Sequence, residues 1–121
     1  MGVEQASTPD LATTLTVEGD PVDLSPGLDL AAYRIAQEGL TNALRHSGAR
    51  HATVTLRWSP TRLDLEVTDD GLGVGPGGTD GGHGLVGVRE RVALYGGTVR
   101  LAPAPGGGTR LSATLPLRDA G

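Results

Sequence analysis

Cysteine, lysine and phenylalanine are all missing from this chain of 121 residues, and the first two absences exclude whole classes of chemistry. Without cysteine there is no disulfide, no thiolate nucleophile and no cysteine-based zinc site. All ten basic residues are arginine, which excludes a Schiff-base lysine, a P-loop lysine and the strand lysine of protein kinases. A nucleotide phosphate could therefore be held only by arginine, backbone amides or a metal ion.

Long apolar runs and excess positive charge are missing as well. No run of about 18 apolar residues occurs, and the first 20 residues lack the apolar core of a signal peptide. We therefore expect a soluble domain that is compatible with a reducing compartment. The net charge of -4 argues against nucleic acid as the main partner, because phosphate contacts need a basic face.

Glycine is abundant and unevenly distributed. Fifteen of the 20 glycines lie from Gly71 onward. Residues 69–83 are glycine-rich and hold almost no core residues, which predicts a loop. It is longer than most connections between elements, and loops of that length often form a lid or a binding loop.

Hydrophobic periodicity predicts the remaining elements. Helical spacing indicates helices over residues 26–47 and 84–95, the first beginning at a Ser25 N-cap followed by Pro26. Apolar and polar residues alternate in five predicted strands, near residues 15–17, 52–58, 63–67, 99–101 and 111–115. The first strand is expected to bury one face, and the second and third to form a hairpin. This order favours an α+β fold whose mixed, mostly antiparallel sheet carries helices on one face.

Two segments stand where a binding site could form. Glu38 and Asn42 share a face of the first helix, where their oxygens could polarise water or hold a hard cation; an ordinary solvated helix face is the alternative. Asp69 is the last residue of the third strand or the first beyond it, and Gly71 and Gly73 would let a flat ligand approach the backbone; a simple Asp-Gly turn is the alternative.

The second half contains two further glycine motifs. Gly82–Gly87 spells G-x-G-x-x-G, but a loop precedes it and no acidic residue follows at the required distance, so we reject a dinucleotide fingerprint. The amides at that helix N-terminus still suit an anion, and His83 either contacts a phosphate or is incidental. Gly106–Gly108 is either a hairpin turn or a lead into Thr109, whose hydroxyl and amide could contact a phosphate.

The order of these segments resembles the catalytic ATP-binding (HATPase) domain of bacterial two-component sensor histidine kinases. The resemblance covers residues 15–117, and within this family the chain is most similar to the nitrate-sensor, LiaS and DesK subfamily. It implies the GHKL or Bergerat fold, an α+β two-layer sandwich over residues 11–118, with a disordered end at 1–10 and a tail at 119–121. The matching segments are the N box at 33–47, the glycine boxes at 69–73 and 82–92, and the final Gly108-Thr109.

The resemblance also implies a role for each site residue. Asp69 would accept the adenine amino proton beside Gly71 and Gly73. Asn42 would coordinate Mg²⁺, with Glu38 as a catalytic partner and second candidate ligand. The residues implied to approach the phosphates are Arg45, His46, Gly82, His83, Gly84, Leu85 and Thr109, with residues 74–83 as the ATP lid.

The implied function is to bind ATP with Mg²⁺ and to donate the γ-phosphate to a histidine on a separate dimerisation domain. Phosphorelay to a response regulator with a helix-turn-helix output domain would follow. The parent would be a membrane-bound homodimer with this domain in the cytoplasm, where it would contact neither nucleic acid nor membrane. None of His46, His51 and His83 has the phosphoacceptor context, so we expect no autophosphorylation. The alternatives are an anti-sigma-factor-type serine kinase or a nucleotide-binding regulatory module of the same fold, and a degenerate scaffold that binds no nucleotide.

Overall fold

The computed structural model describes residues 12–45, 49–71, 83–105 and 107–117, with the backbone alone at 44–45 and 83–85. The elements of this part of the chain are β1 (Ala12–Glu18), α1 (Pro26–Arg45), β2 (His51–Trp58), β3 (Arg62–Asp69), α2 (His83–Ala93), β4 (Thr98–Pro103) and β5 (Thr109–Pro116). All seven predicted elements are present, and their bounds differ from the predicted ones by a few residues at most.

The five strands form one sheet in the order β1-β2-β3-β5-β4. β1 runs parallel to β2, and the other neighbouring strands are antiparallel. α1 packs on β2, β3 and β5, while α2 packs on α1 and β4. The predicted α+β sandwich of a mixed, mostly antiparallel sheet with helices on one face is therefore confirmed.

Local chemistry explains where the elements begin and turn. Ser25 caps α1, because its Oγ accepts a hydrogen bond from the Leu28 amide at 3.3 Å and Pro26 needs no donor at the first helical position. The β2–β3 hairpin closes as predicted: the Ser59 amide donates to the Arg62 carbonyl at 2.9 Å. The Ser59 Oγ accepts from the Arg62 amide at 3.1 Å.

The core lies between α1 and the central strands. Small residues on α1, including Ala32 and Ala36, let the helix lie close to the sheet, where Leu63, Leu65 and Leu115 are almost fully buried. Every second residue of β3 and β5 is buried, and the alternate residues form the polar open face of the sheet.

One sequence prediction is wrong at β1, which does not bury an apolar face. Leu15 is 37% exposed and Val17 is 47% exposed. Both are paired with buried residues of β2, so they point to the helix side of the sheet. β1 is one of the two edge strands, however, and the helices pack over the strands beyond it. The alternating pattern predicted the strand correctly but could not predict its place in the sheet.

Candidate functional site

A pocket lies between α1 and one end of the sheet, where β3 ends and β5 begins. Its walls combine polar groups with apolar side chains from four elements. The lining residues are Glu38, Gly39, Asn42, Val67, Asp69, Leu101, Thr109 and Leu111. Four residues that the sequence singled out are thus brought together, although they come from three separate segments of the chain.

α1 contributes Glu38 and Asn42 from neighbouring turns, and both are half-buried at the margin of its packed face. Gly39 sets how near this helix comes to the sheet. A Cβ at Gly39 would lie only 2.8 Å from the Cβ of Val67, which is closer than side chains pack. The absence of a side chain at Gly39 therefore allows α1 to approach β3 and places its two polar residues over the end of that strand.

Asp69 is the last residue of β3 and is only 6% exposed. Strand alternation puts it on the same face as Leu65 and Val67, toward α1. Its Oδ1 accepts hydrogen bonds from the Gly71 amide at 2.8 Å and from the Thr109 amide at 3.3 Å. These backbone donors come from the segment after β3 and from the start of β5, and they hold one carboxylate oxygen in place. A buried carboxylate with a fixed orientation suits the recognition of a donor group on a ligand.

Thr109 begins β5 and is 2% exposed. Its Oγ1 is buried and has no hydrogen-bond partner within the described part of the chain. Because buried polar atoms are nearly always paired and Thr109 lines the pocket, this hydroxyl is available to a ligand bound there. The phosphate contact that the sequence predicts for Thr109 stays a prediction. In the structure Thr109 stands beside Asp69, forty residues away in the chain, so the two side chains form one polar wall.

Gly108 lies directly against this wall and was not among the predicted site residues. Its φ is +87°, and a Cβ there would overlap the carbonyl oxygen of Asp69. Only glycine adopts this positive φ and tolerates this close contact without distortion. The glycine cluster before Thr109 was a signal in the sequence that another backbone segment comes close, but the sequence did not show that this segment contains Asp69. Gly39 and the apolar walls Val67, Leu101 and Leu111 were also missed, because residues of these types are common in any core.

The other predicted site residues are only partly described. Gly71 is half-buried and donates to Asp69. The backbone of Arg45 ends α1, and His83, Gly84 and Leu85 form the first turn of α2. His46, Gly73, Gly82 and most of the predicted lid lie outside the described residues. Their roles stay predictions.

The side chains of Asn42 and Glu38 fit a divalent cation. Asn42 and Glu38 supply an amide and a carboxylate at the mouth of the same pocket, and both are hard oxygen ligands. Within residues 12–45, 49–71, 83–105 and 107–117, no three His, Asp or Glu side chains form a metal-binding group. The pair formed by Asn42 and Glu38 suits Mg²⁺, which commonly takes one or two protein ligands and completes its shell with phosphate oxygens and water.

A family model described as "Histidine kinase-, DNA gyrase B-, and HSP90-like ATPase" matches residues 27–119. The chain belongs to this ATPase family. The resemblance to the ATP-binding domain of histidine kinases is confirmed, and so is the fold that it implied; the subfamily stays a prediction.

Similar proteins within the family are sensor kinases. The chain is 39% identical over 99 residues to the histidine-protein kinase/phosphatase UhpB of Salmonella typhimurium, a match to 82% of this chain and 19% of UhpB. It is 35% identical over 92 residues to the sensor histidine kinase YxjM of Bacillus subtilis, a match to 76% of this chain and 22% of YxjM. The chain thus spans about a fifth of the length of the curated relatives it matches.

Solved structures agree with these matches. The ATP binding domain of PrrB from Mycobacterium tuberculosis superposes with a TM-score of 0.69 at 31% identity, over 93% of this chain and 84% of that domain. The histidine kinase domain of a blue-light activated kinase from Erythrobacter litoralis gives 0.71 at 27% identity, over 94% and 55% of the two chains. Neither α1 nor α2 is long and apolar enough to cross a bilayer, and the described residues contain no other helix that could.

Proposed function

We propose that this domain binds Mg-ATP and acts as the catalytic domain of a sensor histidine kinase. The observation that carries the proposal is the polar wall formed by Asp69 and Thr109. Adenine presents an amino donor next to a ring-nitrogen acceptor. The Asp69 carboxylate would accept from the amino group, and the unpartnered Thr109 hydroxyl would donate to the ring nitrogen.

This arrangement supports selection of adenine over guanine. Guanine carries an acceptor and a donor at the corresponding positions, which is the reverse of adenine, so each contact would become a mismatch. A site whose buried polar groups are left unpaired by the wrong ligand rejects it strongly. The apolar side chains of Val67, Leu101 and Leu111 complete the pocket and would contact the flat ring. Gly71 and Gly73 would let the ring lie close to the backbone.

The phosphates and the cation would lie toward the C-terminal half of α1 and the start of α2. Asn42, with Glu38 as a second ligand or water-positioning group, would hold Mg²⁺, which supplies charge neutralisation between the phosphates. The N-terminus of α2 offers unpaired amides to an anion. The remaining phosphate contacts are proposed for Arg45, His46, Gly82, His83, Gly84 and Leu85.

The wider assignment rests on the relatives, which are named as sensor kinases. We propose that residues 11–118 form the catalytic unit of a cytoplasmic kinase region in the nitrate-sensor, LiaS and DesK subfamily. It would transfer the γ-phosphate to a histidine on a dimerisation domain of a homodimeric parent, with a response regulator as the next acceptor. The matches to sensor kinases favour this assignment over an anti-sigma-factor-type serine kinase.

Thermal unfolding with and without nucleotide tests the binding proposal. ATP with Mg²⁺ at a hundredfold excess over Kd should stabilise the fold by about 2.7 kcal/mol. GTP should stabilise it much less, and removal of Mg²⁺ should reduce the effect of ATP. No ATP-dependent shift would refute the proposal and favour a degenerate scaffold. Incubation with γ-labelled ATP tests the assignment of the phosphoacceptor: stable acid-labile phosphate on this chain would contradict a separate acceptor domain.

A further inference from the structure

Asp70, the residue after Asp69, makes a compact set of hydrogen bonds outside the pocket. Its Oδ1 accepts from the backbone amides of Arg50 and His51, both at 3.0 Å. Its Oδ2 lies 3.0 Å from the imidazole Nδ1 of His51. Its own amide donates to the His51 carbonyl at 3.2 Å. We call this set the Asp70 clasp; it joins the end of β3 to the beginning of β2.

The clasp lies where the sheet itself stops holding the chain. Ala52 and Asp69 are the last paired residues between β2 and β3 on this side. Beyond them, only the clasp connects β2 with the segment that leads from Asp69 to Gly71 within the described residues. That segment supplies the buried carboxylate and one of the two amides that orient it. A shift of Asp70 would therefore move the Asp69 carboxylate and the Gly71 amide together.

The clasp is outside the ligand pocket. The Asp70 side chain is 52% exposed and that of His51 is 73% exposed, and neither lines the pocket. The hydrogen bonds from His51 and Arg50 lower the pKa of Asp70 to about 2, so the carboxylate is ionised at neutral pH. Hydrogen bonds to a charged acceptor are stronger than neutral ones, which suits a residue that restrains backbone.

We infer that Asp70 is a positioning residue for the nucleotide site: through its contacts with Arg50 and His51 it fixes the backbone that carries Asp69 and Gly71. The inference rests on the proposed function, since it assumes that Asp69 binds the base. Asp70 itself would touch no part of the nucleotide. Its effect would be seen in base affinity and selectivity rather than in chemistry.

The test compares three variants by titration calorimetry with Mg-ATP and Mg-GTP, well below each melting temperature. Asp70→Ala removes every side-chain bond of the clasp and should weaken ATP binding roughly tenfold, while lowering the ratio of ATP to GTP affinity. Asp70→Asn keeps an acceptor for the two backbone amides and should restore affinity to within about threefold of wild type.

Asp64→Ala is the matched control. Asp64 is also a carboxylate of β3 that accepts two hydrogen bonds, from Arg62 Nε and Thr114 Oγ1, each at 3.1 Å. It lies toward the opposite end of the strand, away from the pocket. Its loss should lower the melting temperature without changing either nucleotide affinity.

The outcomes separate the two proposals. If the wild-type domain binds no ATP, the proposed function fails. If the wild type binds and Asp70→Ala binds equally well, the positioning inference is overturned. Equal losses of ATP affinity in Asp70→Ala and Asp64→Ala would also overturn the inference, because general destabilisation of the fold would then explain both. If Asp70→Ala does not fold, His51→Ala removes only the side-chain partner; it should weaken ATP binding about threefold, and an unchanged Kd would reject the inference.

Discussion

Replacing Asp69 by asparagine is the sharpest test of how the pocket would read a base. The substitution changes little in volume and keeps one oxygen. In the structure, Oδ1 is held by the amides of Gly71 and Thr109, and an asparagine oxygen would be retained there because both partners are donors. The new NH₂ group would then occupy the place of Oδ2, from which the carboxylate is proposed to contact adenine. A donor would face the donor of the base.

The expected magnitude follows from these contacts. A hydrogen bond to a charged acceptor contributes about 1.5–3 kcal/mol, so its loss should raise the Kd for ATP by roughly 10- to 150-fold. At an ATP concentration of one hundred times the wild-type Kd, the wild-type stabilisation of about 2.7 kcal/mol should fall to about 1.4 kcal/mol for a tenfold loss. It should fall to about 0.4 kcal/mol for a hundredfold loss.

Melting followed by circular dichroism can resolve this difference. For a domain of this size, each kcal/mol moves the melting temperature by roughly 3–5 °C, so a wild-type shift of about 10 °C should shrink to about 2–6 °C. Asp64→Asn, at the other end of β3, serves as the control and should keep the full ATP shift. If Asp69→Asn also keeps the full shift, the reasoning is refuted and the base does not bind at the polar wall.

Three further predictions concern the surroundings of the pocket. Gly39→Ala should destabilise the fold by about 1–3 kcal/mol and weaken ATP binding, because its Cβ would lie 2.8 Å from the Cβ of Val67; a variant as stable as the wild type in urea unfolding would contradict the close packing. Gly108→Ala should lower the free energy of unfolding in urea more than Gly107→Ala does. Both glycines have positive φ, but a Cβ at Gly107 would meet only open space, whereas a Cβ at Gly108 would overlap the Asp69 carbonyl oxygen. Equal losses of stability in the two variants would show that this overlap is unimportant. The pKa of Asp70 is lowered from 3.8 to about 2, so its contribution to stability is present above pH 4 and is lost as the pH falls through 2. The free energy of unfolding in urea, measured between pH 5 and 2, should therefore depend less on pH in Asp70→Asn than in the wild type. An equal pH dependence in the two proteins would contradict this.

The local elements were predictable because their causes are local. Ser25 and Pro26 define a helix start within a few residues of chain, and the turn at Ser59 closes a hairpin whose two strands alternate clearly. The position of Asp69 at the end of a strand follows from the same alternation. These features need no knowledge of what packs against them.

The partners of the site residues depended on distant parts of the chain. β5 inserts between β3 and β4, and this strand order puts Thr109 beside Asp69. The same order leaves β1 at the edge with Leu15 and Val17 exposed. Periodicity reports which residues share a face of one strand, but it carries no information about which strand comes next.

The sequence by itself determined the elements and, through four ordered motifs, the family. Only the tertiary structure decided how the candidate binding groups meet: Gly39 against Val67, Gly108 against Asp69, and the buried hydroxyl of Thr109 beside the buried carboxylate. The physical reason is that secondary structure follows from the conformational preferences of neighbouring residues. A pocket depends instead on strand register and on distances between side chains far apart in the chain, which are set when the whole core packs.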